Sequence, residues 1–597
     1  MQASASANNK LIKGAFGKYL TLSILITLSA TLGMMLDNVI AGNLIGPGAV
    51  AAIGMSLSVF LLFSGCAGII ETGAIALSAR ALGNRNAAHV NVIFSVSLLA
   101  VLVVGAFLSV SLTAAASFIA NFLGAHDPTL HADTVSFLTG ICPCALAIML
   151  LQLLMGFARL DNSPQLGVIA IVAMSACDIV LNLVAVCVLN MGLFGMGLAT
   201  TISYCIAVCI CATHFFSKKN TLHVVNPFLH MRDIGSILKT GLPDSLTRIT
   251  VMLRTFVFNH LLLIVAANNA VAVLSMLSSV NLFTSSIATG IGQTATLMCG
   301  IFYGEQDRNA LKATLRIASK VGIALTLCLA VLMFIFAPGV VGIFGFSGAE
   351  FALGLIAIRL YIIREPVGIL NSLFSSYYQG IGKISAASAI SVGYSGFFGI
   401  IFALCAAWGF GENAIWLSFP VGEAITLIVQ VIVANVIWAR KHPNAGASML
   451  DKLMYLPSNF QADWLASKNF FCEANLGAVI DCSKQVEEWC SEQGVDKKRT
   501  YLAVLGTEEL TSNAVKHGFK KTKHPAIDLR ITLKRGGALE LHMKDNGKPF
   551  NPVEFDIENA SPEEVMGIKM LRQAIKHVEY QNTIGLNNTT VTLVAGK

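Results

Sequence analysis

The chain divides into two regimes of hydrophobic patterning. From Thr21 to Trp438, apolar runs of roughly 20 residues recur about twelve times, each long enough to cross a hydrocarbon core of about 30 Å. Gly46-Pro47-Gly48, His126-Asp127-Pro128, Asn190-Met191-Gly192, Ala267-Asn268-Asn269 and Gly411-Glu412-Asn413 separate runs and read as turns. After Arg440-Lys441-His442-Pro443 the pattern becomes that of a soluble domain. Leu476 to Cys490 and Thr500 to His517 carry helical apolar spacing, whereas Ile527 to Leu533 and Leu539 to Met543 alternate as strands do. Met566 to His577 predicts another helix and Thr589 to Val594 a closing strand.

The fold class expected is therefore a polytopic α-helical membrane protein of two six-helix lobes, followed by a C-terminal cytosolic α/β sandwich. The segments expected are an N-terminus over 1–17, a first lobe over 18–216 and an inter-lobe loop over 217–234. A second lobe over 235–440, a linker over 441–459 and the C-terminal domain over 460–597 complete the chain.

Composition sharpens this division. Of 597 residues, 55% are hydrophobic and 12% charged, with a mean hydropathy of +0.71; the charged share is about half that of a soluble protein. Residues 451–597 hold 19 basic and 19 acidic side chains, so residues 1–450 hold 21 and 14 and account for the whole net charge of +7.

The basic residues fall in alternate loops, at Arg80 and Arg85, at Arg159, at Lys218, Lys219, Arg232 and Lys239, and at Arg308, Lys312, Arg316 and Lys320. Retention of Lys and Arg on the cytoplasmic side predicts that both termini lie inside, in a cell inner (plasma) membrane crossed many times. A cleaved signal is not expected, because Lys10, Lys13 and Lys18 precede a span that is too long and lacks a small-residue cleavage site. Eleven of the fourteen cysteines fall in apolar spans and read as packing residues, and Cys472, Cys482 and Cys490 form no CxxC pair in the tail.

The membrane body repeats. Arg80-Ala81-Leu82-Gly83-Asn84-Arg85-Asn86-Ala87 has a counterpart in Ile301 to Ala310, with Gly83 and Gly304 221 residues apart, and Phe157 to Asp161 matches Tyr378 to Gly382 at the same offset. A repeat of six spans keeps both copies in one orientation, so the halves are expected about an axis along the membrane normal with a cavity between them.

Met34 to Gly42, the Leu82-Gly83 loop and Gly195 to Thr200 resemble the multidrug and toxic compound extrusion (MATE) family over roughly residues 15–440. The resemblance implies a cation-coupled antiporter that exports organic, cationic compounds, driven by H+ or Na+. It also places Asp37 at the carboxylate of the N-terminal lobe that takes up the coupling ion. A carboxylate among Met, Leu, Val and Ile is costly enough in a bilayer to suggest function; the alternative is a solvated place near the outer interface. Asp178 and Asn182, four residues apart, share a helix face, and Thr200 would complete a polar cluster with Asp37. Relatives show Asn before Asp here, the reverse of this order, which leaves the choice of ion open; helix-to-helix packing is the other reading.

Glu71, Arg254 and Glu423 also lie in apolar sequence, either facing the cavity or satisfied within the lobes, and Arg359 and Arg364 stand near enough to neutralise Glu365. The expected partners are a small organic substrate and membrane lipids, and no nucleic acid.

In the tail, Glu509-Leu510-Thr511-Ser512-Asn513 precedes Asp545-Asn546-Gly547-Lys548-Pro549-Phe550 and then Met566-Gly567-Ile568. These motifs resemble the histidine-kinase-like ATPase fold, most closely its anti-sigma-factor serine kinases. The resemblance implies ATP and Mg2+ as cofactors, with Asp545 accepting from the adenine amino group, Gly547 allowing close approach to the base and Gly567 at a phosphate-facing helix start. One turn apart, Asn513 would ligate Mg2+ and Glu509 would act as catalytic base. Val565 stands where that family has glycine, and Lys569 would add a phosphate contact. No phosphoacceptor-histidine helix precedes the domain.

Three functions remain open on sequence alone. One is an exporter with an ATP-binding regulatory domain. Another is a membrane-tethered serine/threonine kinase, with a small acceptor protein of the anti-sigma-antagonist type as partner. The third is a flippase for lipid-linked sugars.

Overall fold

The computed structural model describes residues 2–217, 220–265, 268–411, 413–442, 446–520, 522–554, 569 and 577–594. They form two compact units: Tyr19–Glu305 with Leu315–Leu453, and Met1–Lys18 with Gln306–Thr314 and Met454–Lys597.

The membrane unit is helical throughout. Its first lobe contains α1 (Gln2–Leu44, from Tyr19 onward), α2 (Pro47–Gly83), α3 (Ala87–Ala114), α4 (Ala116–Phe122), α5 (Pro128–Ile141), α6 (Cys144–Leu160), α7 (Gln165–Leu183) and α8 (Gly192–Ala212). Its second lobe contains α9 (Asp233–Val265), α10 (Asn268–Gly304), α11 (Arg308–Ile343, from Leu315 onward), α12 (Gly348–Ile362), α13 (Glu365–Gly380), α14 (Ile384–Val392), α15 (Phe398–Phe410) and α16 (Asn413–Lys441).

Among the described residues, ten helices are long and apolar enough to cross a bilayer, and α5 with α6 makes one further span bent by 44°. The pair α12 and α13 holds the corresponding place in the second lobe, with Arg359, Arg364 and Glu365 around its break. Helix ends follow local chemistry: Asp127 caps α5 by accepting from the amides of Thr129 and Leu130 at 3.0 and 3.1 Å.

Each lobe has its own apolar core, around Phe63, Phe137, Leu138 and Met196 in the first and Phe258, Tyr361, Trp416 and Phe419 in the second. Large apolar side chains such as Phe107, Phe122, Phe336 and Trp408 stay exposed on the outside, the surface a hydrocarbon solvent requires. The lobes meet where α2 packs on α9 and α10.

In the second unit, β1 (Trp464–Cys472), β2 (Ile527–Lys534), β3 (Leu539–Asp545), β4 (His577–Thr583) and β5 (Leu586–Leu593) form one antiparallel sheet of order β1-β2-β3-β5-β4. Alternation turns Ile527, Leu529 and Ile531 of β2 and Leu539, Leu541 and Met543 of β3 into the core. There they meet Val479, Cys482, Val486 and Trp489 of α18 (Leu476–Glu492) and Ala503 and Leu510 of α19 (Lys497–Asn513).

Three features depart from the sequence expectation. The linker contains a helix, α17 (Met449–Met454). β1 and β4 carry no clear strand signal, because β1 alternates weakly between half-exposed positions and β4 holds mostly polar residues. His577, expected to end a helix, opens β4 and pairs with Thr592; of the remainder of that predicted helix only Lys569 lies within the described residues, and it is helical and exposed.

Candidate functional site

Two sites lie in the membrane unit and one in the unit that carries the sheet. On α1, Asp37 Oδ1 accepts from Asn182 Nδ2 of α7 at 3.0 Å. Asp178, one turn before Asn182, stands against Asp37, Thr200 and Ser203. Asp178 Oδ1 and Asn182 Oδ1 are buried without a hydrogen-bond partner among the described residues, although buried acceptors of this kind are nearly always satisfied. The four residues predicted from sequence, Asp37, Asp178, Asn182 and Thr200, thus come together; Asp37, Asp178 and Thr200 line a chamber of about 100 Å3.

Ala30 and Tyr204 line both that chamber and a larger cavity of about 440 Å3 between the lobes. Four arginines and four carboxylates face this cavity. Glu71 and Arg159 pair at 3.0 Å, with Arg159 also donating to Gln293 at 2.6 Å; Asp244 and Arg248 pair at 3.1 Å, and Arg364 and Glu365 at 3.3 Å.

Arg254 and Glu423 form no ion pair among the described residues. Arg254 donates to Ser395 O at 2.6 Å and lies over Phe419, and Glu423 accepts from Asn371 at 2.6 Å. Arg359, expected beside Glu365, lies instead over Phe334. Sequence reasoning missed Arg159, Asp244, Arg248 and Asn371 as lining or supporting groups, since nothing local distinguishes a cavity-facing polar residue from a loop or packing residue.

In the sheet unit, Asp545 ends β3 on the helix-facing side of the sheet. Its Oδ1 accepts from Gly547 N and from Asn587 Nδ2, both at 2.8 Å. Asn587 is held in turn, accepting from Tyr580 OH at 2.7 Å and Asn582 Nδ2 at 2.9 Å. Burial raises the Asp545 carboxyl above its usual range, and the bonds from Asn587 and Gly547 oppose that. No hydrogen bond to Oδ2 is formed among the described residues, and it is not a sealed orphan atom, so it is available to a donor entering the pocket.

A Cβ on Gly547 would lie 2.9 Å from Asp545 Oδ1 and 3.1 Å from the Gly518 backbone; this glycine is required by close approach. The pocket is about 200 Å3 and is lined by Asn513, His517, Asp545, Lys548, Phe550 and Asn587, among others. An acceptor ringed by apolar and polar walls at this scale suits a purine base with an exocyclic amine.

Asn513 lines this pocket, whereas Glu509 is half-buried one turn back on α19 and does not. Burial raises the Glu509 carboxyl, as does Glu508, while Lys516 lowers it. Gly567 lies outside the described residues. His517, Lys548 and Asn587 are additional lining groups; the first two fall inside the motifs that mark the domain, and Asn587 has no signal of its own.

Two repeated lobes around a charged cavity, in a chain that also carries a sheet domain with a pocket of about 200 Å3, are the architecture of a membrane transporter with an ATPase-like domain. The MatE family model matches residues 23–184 and 243–405, and the histidine kinase-like ATPase domain model matches residues 472–595. The chain belongs to the MatE family, and its C-terminal part is a histidine kinase-like ATPase domain.

Among relatives, the multidrug export protein MepA of Staphylococcus saprophyticus is 21% identical over 347 residues, 58% of this chain and 76% of that protein. MepA of Staphylococcus aureus strain N315 is 22% identical over 391 residues, 64% and 85% of the two chains. An outward-facing multidrug resistance MATE family transporter superposes with a TM-score of 0.66 at 21% identity, over 74% of this chain and 96% of that one. A MOP superfamily transporter from Pyrococcus furiosus gives 0.66 at 21%, over 74% and 97%.

Proposed function

We propose that the protein is a cation-coupled antiporter that exports organic, cationic compounds, and that its ATP-binding domain regulates this export. The observation that carries the reading is the Asp37–Asn182 contact beside two buried acceptor oxygens that have no donor among the described residues, Asp178 Oδ1 and Asn182 Oδ1. Acceptors without donors favour a bound cation or a proton, and H+ and Na+ are both compatible with two carboxylates and an amide. Tyr204, shared by this chamber and the central cavity, gives a side chain through which occupancy of one is felt in the other. Glu423, buried on the cavity wall and in no ion pair among the described residues, attracts the positive end of a substrate.

In the C-terminal domain, Asp545 holds the base and Asn513, which lines the same pocket, would ligate Mg2+; bound ATP would supply the phosphates for this metal and for any transfer. The orientation that follows from the basic loops puts both termini and this pocket in the cytoplasm of the inner membrane. Phosphate transfer to a small acceptor protein is the enzyme activity the pocket would add.

The test is Asp37→Asn in proteoliposomes with an imposed proton or sodium gradient. An amide cannot release and take up a proton and is a weaker cation ligand, so gradient-driven efflux of a cationic dye is abolished while the protein stays folded and inserted. Full efflux by this variant rules out Asp37 as the coupling group.

A further inference from the structure

The second face of the nucleotide-domain sheet is polar, yet it is buried. Alternation sends Asp528, Arg530 and Thr532 of β2 and His542 and Lys544 of β3 away from the helices, and each is at most 7% exposed. Burying charges costs several kcal/mol per ion unless partners replace the lost water, so this face is built to receive polar groups. The same compact unit contains Gln306–Thr314, the connector from α10 to α11.

Within it, Asp307 Oδ2 accepts from Lys544 Nζ at 2.9 Å and pairs with Arg530 at 3.4 Å, and Gln461 Nε2 donates to Gln306 O at 2.7 Å. Asp307 is 2% exposed. Burial alone would raise its carboxyl, but Lys544 and Arg530 hold it well below the usual range.

The internal repeat shows that this charge is not needed for the helix. Asp307 Oδ1 caps α11 by accepting from Ala310 N at 2.9 Å. Its counterpart 221 residues earlier, Asn86, caps α3 through His89 N at 3.0 Å. Asn and Asp are equally good caps, so only the basic pair explains why the second copy carries a carboxylate. Lys544 also precedes Asp545 on β3, with their side chains on opposite faces of one strand. The residue that holds Asp307 is thus the immediate chain neighbour of the pocket carboxylate.

We propose that the polar face of this sheet is a docking surface for the α10–α11 connector, with Asp307 gripped by Lys544 and Arg530, and that it links nucleotide occupancy at Asp545 to transport. The linkage rests on the exporter reading; the docking does not. Coupling between two sites is reciprocal and is commonly worth about 5- to 150-fold.

The test uses the full chain in proteoliposomes, with ATP or ADP supplied to the nucleotide domain, and compares wild type, Asp307→Asn and Lys544→Gln. Dye efflux and nucleotide affinity are measured together with hydrogen exchange across 306–314. In wild type, nucleotide changes efflux about fivefold or more. Asp307→Asn keeps the cap, the basal efflux and nucleotide affinity, but loses the response and exchanges faster across 306–314; Lys544→Gln, which leaves the Asp307 cap intact, does the same.

Unchanged exchange in Asp307→Asn overturns the docking. A retained nucleotide response in that variant, or a wild type that exports and binds ATP without any response, overturns the linkage. Absence of gradient-driven efflux in wild type instead overturns the exporter reading, with hydrogen exchange still deciding the docking.

Discussion

Gly83 and Gly304, 221 residues apart, lie against one another at the ends of α2 and α10. A Cβ on Gly83 would fall 2.0 Å from Ile301 O, and a Cβ on Gly304 would fall 2.4 Å from Arg80 O. Arg80 and Ile301 are themselves repeat partners, so each copy presents the same carbonyl to the other's glycine. Small residues let membrane helices approach to backbone contact.

Gly304→Ala is therefore expected to force α2 and α10 apart and to destabilise the chain by about 1–3 kcal/mol, the usual cost of overpacking. Gly409→Ala, which has nothing within 4 Å of the added atom, is the control. Thermal melting of the purified protein in detergent separates the two; equal melting temperatures would contradict the close approach.

For the nucleotide pocket, Asp545→Asn replaces the acceptor that Gly547 and Asn587 orient. Loss of a hydrogen bond to a charged group costs about 1.5–3 kcal/mol, or roughly ten- to a hundredfold in ATP affinity. Glu509→Ala is expected to bind ATP normally and to lose about 10²- to 10⁴-fold of any hydrolysis or transfer. Calorimetric titration and labelled-ATP turnover on the same preparations read both effects. An Asp545→Asn protein with wild-type affinity would remove this residue from base recognition.

Stability of the sheet should depend on pH through Asp528. Burial first, and then the charge of Asp307, pushes its carboxyl up to about 6. In the unfolded chain it titrates near 4, so between about pH 4 and 6 the folded state holds the extra proton. Its contribution is favourable below that window and is lost as pH rises through it, leaving a cost of about 3 kcal/mol at pH 8. Asp307 works in the opposite direction, stabilising above about pH 4. Asp528→Asn is thus expected to protect β2 better than wild type at pH 8 and equally at pH 4. Hydrogen exchange corrected for its intrinsic pH dependence measures this, and an advantage that persists at pH 4 would refute the assignment.

Elements with a local period are legible in the amino-acid sequence. The spans follow from runs of apolar residues, α18, α19, β2, β3 and β5 from their spacing, and the relation of Gly83 to Gly304 from a constant offset. Asp545 and Gly547 can be picked out because their motif lies within one short turn of the chain. Asp37 stands out as a carboxylate in an apolar run.

The tertiary structure decided which distant residues complete these sites. Asn587 stands directly opposite Asp545 in the β3–β5 ladder, a register fixed by long-range pairing and invisible in a segment of polar residues. Glu71 finds Arg159, Asp37 finds Asn182, and Asp307 finds Lys544 only once separate helices and strands are packed. Local pattern sets the period of an element and which side is apolar, because those depend on neighbours within a turn or two. The partner of a buried charge is set by which elements pack together, a property of the whole chain.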